Sequence, residues 1–100
     1  MKIPSKLKVG AHTFTVRKAN ARDAEKGSDY WGKTDYSNAT ITIDKEVQQS
    51  KMEEVLLHEI LHVCFDHSGL NVKYDRSEEE NIVNALSNQL YMILKVNKLI

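Results

Sequence analysis

The chain has 100 residues, and its 14 basic and 14 acidic side chains give a net charge of zero. This length suits one core, so we predict a single domain over residues 1–100. The only cysteine, Cys64, excludes an internal disulfide and argues against an oxidised secreted scaffold. No signal peptide or stretch long enough for a membrane span is visible, so we expect a cytoplasmic protein with no membrane partner.

The charges are unevenly distributed along the chain. Residues 1–33 carry eight Lys/Arg and three Asp/Glu, whereas residues 34–100 carry six and eleven. The basic residues are scattered through predicted strands rather than clustered, which favours packing of a basic half on an acidic half. We therefore do not expect a nucleic-acid partner.

The first predicted elements are strands. Residues 6–19 alternate between apolar and polar side chains and are interrupted by Gly10-Ala11, which predicts a hairpin with His12 exposed. Residues 20–37 are polar and contain Gly27 and Gly32, so we predict a loop with a helical turn at 21–26. Tyr30 and Trp31 are expected to cover the edge of the core.

The clearest strand is 38–44, in which Ile41 and Ile43 share one face. As an exposed edge it would be able to hold an extended peptide by main-chain hydrogen bonds. A helix is predicted next, beginning at Ser50 because Ser50-Lys51-Met52-Glu53 has the form of a capping box. It is expected to end near Asp66 or His67, with Ser68-Gly69 as the stop signal.

A second helix is predicted over residues 77–95, after a short connection at 70–74. Its apolar side chains follow helical spacing and are interpreted as one stripe that faces the core. The members of this stripe are Ile82, Val83, Leu86, Leu90, Ile93 and Leu94.

The first helix carries the sequence His58-Glu59-Ile60-Leu61-His62. Histidines four residues apart lie on one helix face, where both can bind one tetrahedral zinc ion. Glu59 can act as general base, taking a proton from a metal-activated water that attacks a carbonyl. The surrounding residues are apolar, which predicts a buried helix. Burying two histidines and a glutamate without binding partners would cost free energy, and a bound metal ion would remove this cost. Cys64 points elsewhere and is expected to be a small buried side chain.

A zinc site of this kind needs a third protein ligand. His67 lies nine residues after His58, about 180° around the helix, so it can reach the metal only after a sharp turn. The glutamates that open the second helix are better placed, and Glu80 and Glu79 compete for the role. Ser77 with Glu80 has the form of a capping box, but Asp75 with Glu78 offers another cap that leaves Glu80 free.

The motif followed by Glu80-Asn81-Ile82-Val83-Asn84 resembles the gluzincin pattern of a glutamate, three residues, then Asp or Asn. On that resemblance Glu80 is the third ligand, and Asn84 orients a histidine ligand through its other ring nitrogen. Residues 30–95 also resemble the small zincin-like metallopeptidases of phages and prophages. The resemblance is carried by Tyr30-Trp31-Gly32-Lys33-Thr34-Asp35-Tyr36, the Ile41/Ile43 strand, the histidine motif, and Glu80, Leu86 and Leu90.

This resemblance implies an α+β minimal zincin core, in which a small antiparallel sheet of about three strands packs on two long helices. It implies a zinc-dependent peptide-bond hydrolase with Zn²⁺ as cofactor and a peptide or protein as substrate. Larger gluzincins stabilise the oxyanion with a Tyr or His from a second subdomain, for which this chain is too short. Tyr36, Tyr74, Tyr91 and His67 are the candidates here.

Two other functions compete with the hydrolase. A zinc-stabilised binding or regulatory module of phage or prophage origin would use the metal mainly to join the two helices. A metal-free helical interaction protein would hold no zinc at all. Glu59 favours the hydrolase because a purely structural site has no need of a general base.

Overall fold

The structure, a computed structural model, describes residues 1–21 and 31–100. The fold is α+β, which confirms the predicted class. The strands are β1 (Lys6–Val9), β2 (His12–Ala19), β3 (Gly32–Asp35) and β4 (Thr40–Asp44). The helices are α1 (Gln49–Ser68), α2 (Leu70–Lys73) and α3 (Arg76–Val96). Two long helices were predicted; the short α2 lies between them because residues 70–73 complete one further turn.

The strands form one sheet in the order β1-β2-β4-β3. The pairs β1/β2 and β3/β4 are antiparallel, whereas β2 and β4 are parallel. The prediction of about three antiparallel strands is therefore wrong in its details, because the sheet has four strands and is mixed. The predicted hairpin is confirmed: Val9 pairs with His12, and Gly10 adopts a positive φ of 59° in the two-residue turn.

The extra strand, β3, lies within the segment 20–37 that was predicted to be a loop. Gly32–Asp35 pairs with β4 although its composition is typical of a loop, because the apolar β4 offers it a complete row of hydrogen-bonding partners. β3 consequently occupies the sheet edge, and the predicted edge strand β4 lies between β2 and β3. The predicted helical turn at 21–26 and Tyr30 fall largely or wholly outside the described residues.

α1 begins one residue before the predicted start. Gln48 is the N-cap and no side chain caps the helix, so Ser50 lies inside the first turn rather than at its cap. Glu53, the expected capping partner, is instead buried and accepts hydrogen bonds from Gln49, Tyr91 and Lys95. The predicted end of the helix is confirmed, since Gly69 follows Ser68 with the left-handed φ of 82° that stops helices.

α3 begins at the cap that leaves Glu80 free. The Asp75 carboxylate accepts a hydrogen bond from the Glu78 backbone N–H at 2.8 Å, and the Asp75 N–H donates to the Glu78 carboxylate at 3.1 Å. This reciprocal pair is a capping box, so the alternative cap at Ser77 is wrong. The Glu80 carboxylate is consequently available for contacts with α1.

α1 is the central layer of the molecule, with the sheet on one side and α3 on another. The core consists of sheet residues and α1 residues: Phe14, Val16, Ile41, Ile43, Met52, Val55, Leu56 and Val63. Cys64 was predicted to be buried but is exposed, because its neighbours Val63 and Phe65 take the buried positions of this helical turn. Among the described residues, none of the helices is both long enough and apolar enough to cross a membrane.

Candidate metal centre

The two motif histidines lie on one face of α1 with their rings turned towards each other. The Nε2 atoms of His58 and His62 are 3.2 Å apart, and the ring centroids are 4.8 Å apart. The side chains are 19% and 16% exposed, so they are accessible from the surface but largely shielded by protein. The spacing of four residues on an α-helix is what brings these nitrogens together.

Glu80 of α3 completes a compact group with the histidines. One carboxylate oxygen is 3.1 Å from His58 Nε2, and the other is 3.1 Å from His62 Nε2. Hydrogen bonds from His58 and then His62 hold the pKa of the Glu80 carboxyl well below its usual range. Glu80 is therefore an ionised acceptor that faces both imidazoles.

Glu79, the competing glutamate, contacts a different atom. Its carboxylate lies 2.5 Å from Nδ1 of His62, on the side of the ring away from His58. Burial lowers the pKa of His62, but hydrogen bonds to Glu80 and Glu79 outweigh burial and raise this pKa to about 9. A carboxylate on the second nitrogen fixes the orientation of an imidazole that binds a metal through its first nitrogen.

Glu59 lies below the histidine pair and is buried, with 6% of its surface exposed. The Thr34 hydroxyl of β3 donates a hydrogen bond to one carboxylate oxygen at 2.8 Å. The other oxygen is 3.9 Å from His58 Nε2. Burial raises the pKa of Glu59 above its ordinary value, although the Thr34 hydrogen bond and the nearby histidines oppose this shift. A carboxyl group with such a pKa is a suitable proton acceptor near neutral pH.

The donor atoms fit the dimensions of a zinc site. Donors at 2.0–2.1 Å from a tetrahedral zinc ion lie about 3.3 Å from one another. The two Nε2 atoms are 3.2 Å apart, and each of them is 3.1 Å from a different oxygen of the Glu80 carboxylate. His58, Glu59 and His62 also offer ligand atoms that lie within 4.8 Å of one another. The donor types, two imidazoles and a carboxylate, are those that zinc accepts with one position left open.

The remaining predicted residues lie elsewhere in or around the site. The ring of His67 contacts the rings of Phe14 and His12, with centroids 6.2 and 6.3 Å away, rather than those of the histidine pair. Asn84 is exposed and lines a cavity beside His58. The carboxylate that contacts a histidine Nδ1 is Glu79, which the sequence pattern did not select for this role.

An open cleft passes the histidine pair. A cavity of about 570 Å³ lies on one side and one of about 350 Å³ lies on the other, and the two share Gly32, His58 and Glu59 in their lining. β3 forms one wall of the cleft, and α3 forms the opposite wall. Because His58 lines both cavities, a chain bound along the cleft would extend to both sides of His58.

Two of the four predicted oxyanion candidates line the larger cavity. These are Tyr36 and Tyr74. Burial, followed by the charges of Asp66, Glu79 and Glu59, raises the pKa of Tyr36, so its phenol remains a hydrogen-bond donor. Tyr91 instead donates to Glu53 at 3.1 Å.

Comparisons with protein families, with curated proteins and with solved structures gave no match to this chain. The function is therefore inferred from the geometry of the described residues.

Proposed function

We propose that this protein is a zinc-dependent peptide-bond hydrolase whose metal ligands are His58, His62 and Glu80. The observation that carries the proposal is the position of Glu80, whose two oxygens each lie 3.1 Å from a histidine Nε2. Three protein ligands would leave one coordination position for water or substrate. A bound zinc ion supplies Lewis acidity, which lowers the pKa of water and polarises a carbonyl oxygen.

Glu59 carries the proton transfers in this mechanism. Thr34 holds one of its oxygens, and the other is directed towards the histidine pair. Glu59 accepts a proton as the water oxygen bonds to the carbonyl carbon, and it delivers a proton to the amine nitrogen as the C–N bond breaks. Glu79 orients His62 through Nδ1 and is a positioning residue.

The edge strand β3 supports a peptide as the substrate. Among the described strands its neighbour is β4, and we propose that an extended chain pairs with its other edge. Gly32, Lys33 and Thr34 of β3 line the larger cavity, and Gly32 also lines the smaller one, so a chain added to β3 would place residues on each side of His58. This arrangement favours cleavage within a chain rather than at its end. It also supports the minimal zincin core implied by the family resemblance.

Metal analysis of purified variants tests the ligand assignment. We expect about one zinc per chain in the wild type and in Glu79→Ala, and loss of tightly bound zinc in His58→Ala and Glu80→Ala. The zinc-loaded wild type should cleave a denatured protein substrate at internal positions. A Glu80→Ala protein that retained zinc with wild-type affinity would contradict the assignment.

A zinc-stabilised binding module is the second candidate. It is favoured by one observation, which is that the histidines of α1 and the glutamates of α3 join two helices through this group. Such a module would bind zinc with the same ligands and cleave no peptide. Replacement of Glu59 would then leave its function unchanged, which separates it from the hydrolase.

A further inference from the structure

The outward side of α3 carries apolar residues that the proposed site does not use. Leu86 is 51% exposed, Ile93 54% and Val96 74%, although the sequence pattern placed Leu86 and Ile93 in the core stripe. The structure divides that stripe, because Val83 is fully buried against α1 while Leu86 and Ile93 face outward. We call Ile82, Leu86, Gln89, Ile93 and Val96 the outer stripe.

The spacing of the outer stripe is that of a coiled-coil seam. Its residues are separated by four, three, four and three positions, which repeats every seven residues. The fourteen residues 81–94 also contain no charged side chain. A helix face exposed to solvent normally carries charges, and their depletion is typical of the buried centre of a protein interface.

We propose that the outer stripe is the interface at which a second copy of this chain pairs with α3 in antiparallel orientation. With the two-fold axis at Gln89, Ile82 of one copy would lie level with Val96 of the other, and Leu86 would lie level with Met92. The Gln89 side chains would meet at the two-fold axis, where two amides can hydrogen-bond to each other. A single polar residue in such a seam fixes the register and the orientation of the helices.

The charges at the two ends of α3 favour this orientation. The first turn carries Glu78 and the residues after the helix include Lys98, and both side chains are exposed. Antiparallel pairing brings the acidic end of one helix next to the basic residue of the other, whereas parallel pairing places like charges together.

The available area is sufficient for a modest dimer. The exposed apolar residues of α3 on or beside this face are Leu86, Met92, Ile93 and Val96. Together they present about 400 Å² per copy, and the exposed neighbours Ala85, Asn88 and Gln89 bring the area that a pair would bury to about 1,000 Å², near the lower limit for specific interfaces. We therefore expect a reversible dimer whose population depends on concentration. Because Glu80 lies on the opposite side of α3, this inference does not depend on the proposed hydrolase activity.

Analytical ultracentrifugation of the full chain tests the proposal. The wild type should show a monomer–dimer equilibrium, and Ile93→Glu should raise the dimer dissociation constant by about 100-fold or more because two charges would be buried. Val72→Glu is the matched control, since Val72 is 86% exposed on α2 and lies outside the stripe. A wild-type protein that remains monomeric at near-millimolar concentration would overturn the proposal, as would an Ile93→Glu dimer of unchanged affinity.

Cross-linking tests the antiparallel orientation. In a Cys64→Ser background, Gln89→Cys places two thiols at the two-fold axis and should form a disulfide-linked dimer under mild oxidation. Val72→Cys should remain monomeric under the same conditions. Equal cross-linking of both variants would contradict the assigned register. Far-ultraviolet circular dichroism establishes that each variant is folded.

Discussion

At the scale of single residues, the adjacent glutamates of α3 contact different nitrogens of the histidine pair. Glu80 faces both Nε2 atoms, whereas Glu79 faces Nδ1 of His62. Successive helix residues differ in direction by about 100°, so two neighbours can approach one imidazole from different sides. The proposal gives them separate tasks, with Glu80 binding the metal and Glu79 fixing the ring of His62.

Replacement of Glu79 should weaken zinc binding without removing a ligand. For Glu79→Ala we expect a zinc affinity about 10–100-fold lower than that of the wild type, which is the usual effect of losing a carboxylate behind a histidine ligand. Competition with a chromogenic chelator measures the affinity. If Glu79→Ala lost zinc as completely as Glu80→Ala, the separate tasks would be wrong.

Replacement of the buried Glu53 should give a pH-dependent loss of stability. Burial raises the pKa of Glu53, but hydrogen bonds from Gln49, Lys95 and Tyr91 outweigh burial and lower it below its ordinary value. A lowered pKa stabilises the fold above the pKa of the unfolded chain, and this contribution disappears as the pH falls through the folded-state pKa. Glu53→Gln should therefore reduce the free energy of unfolding by about 1–3 kcal/mol at pH 7.

The difference between Glu53→Gln and the wild type should become smaller at pH 3, because this pH lies below the pKa of a glutamate in the unfolded chain and the stabilisation is then being lost. Urea unfolding at the two pH values measures this difference. Glu54→Gln is the control, because Glu54 is more exposed and its ion pair with Lys51 is long, at 3.9 Å. A loss of stability that was the same at both pH values would contradict this interpretation.

The histidine motif could be recognised from sequence because helical periodicity fixes the relation between His58 and His62. The choice between Glu79 and Glu80 depends on how α3 is rotated against α1, which no local pattern specifies. The start of α3 shows how far a local pattern can go, since the sequence is compatible with two overlapping capping boxes, one at Asp75 and one at Ser77. Only the packed helix shows which box forms, and that choice releases Glu80.

At the scale of elements, the close approach of β3 to α1 positions Glu59. A Cβ atom on Gly32 would lie 2.5 Å from Val55 Cγ1, 3.2 Å from the Thr42 carbonyl oxygen and 3.5 Å from Glu59 Cγ. Glycine is therefore required for the strand to pass this close to the helix. The same approach brings Thr34 within hydrogen-bonding distance of Glu59.

The substitution Gly32→Ala should move β3 away from α1. We expect a loss of about 1–3 kcal/mol in the free energy of unfolding, as for other overpacked sites, together with a lower hydrolysis rate because Thr34 no longer holds Glu59. Chemical denaturation and peptide cleavage measure the two effects. Lys33→Ala on the same strand should leave stability within about 0.5 kcal/mol of the wild type. Unchanged stability in Gly32→Ala would refute the steric argument.

The elements differ in how well local sequence predicts them. The hairpin, β4 and α3 have periodic patterns, and α1 is indicated by its histidine motif and by Ser68-Gly69 at its end, so the sequence indicates each of these elements. β3 was missed because Gly32–Asp35 has no apolar alternation and becomes a strand only by pairing with β4. The parallel pairing of β2 with β4 was also missed, because contacts between residues distant in the chain are not encoded in either strand alone.

At the scale of the whole molecule, α3 is attached to the rest of the described structure mainly through α1. The group formed by His58, His62 and Glu80 is one of the connections between these helices, and the Glu53 network is another. A metal that binds the folded chain and not the unfolded chain stabilises the fold by mass action. The proposed zinc should thus stabilise the whole domain as well as take part in the hydrolysis reaction.

Removal of zinc should lower the melting temperature of the wild type. Zinc at about 1,000 times its dissociation constant contributes about 4 kcal/mol, enough to shift the melting temperature of a domain of this size by more than 10 °C. Calorimetry with and without a chelator measures the shift. His62→Ala serves as the control and should melt at the same temperature in both conditions. A wild type that was insensitive to chelation would argue against a zinc site.

The proposed hydrolase activity depends most directly on Glu59, which would transfer protons during peptide hydrolysis at a zinc site. Its most direct test is the cleavage rate of Glu59→Gln, measured beside the wild type with the zinc content of both proteins determined in the same samples. We expect equal zinc content and a rate at least about 100-fold lower, because the amide cannot accept the proton. A zinc-loaded Glu59→Gln protein that cleaved at the wild-type rate would contradict this role of Glu59.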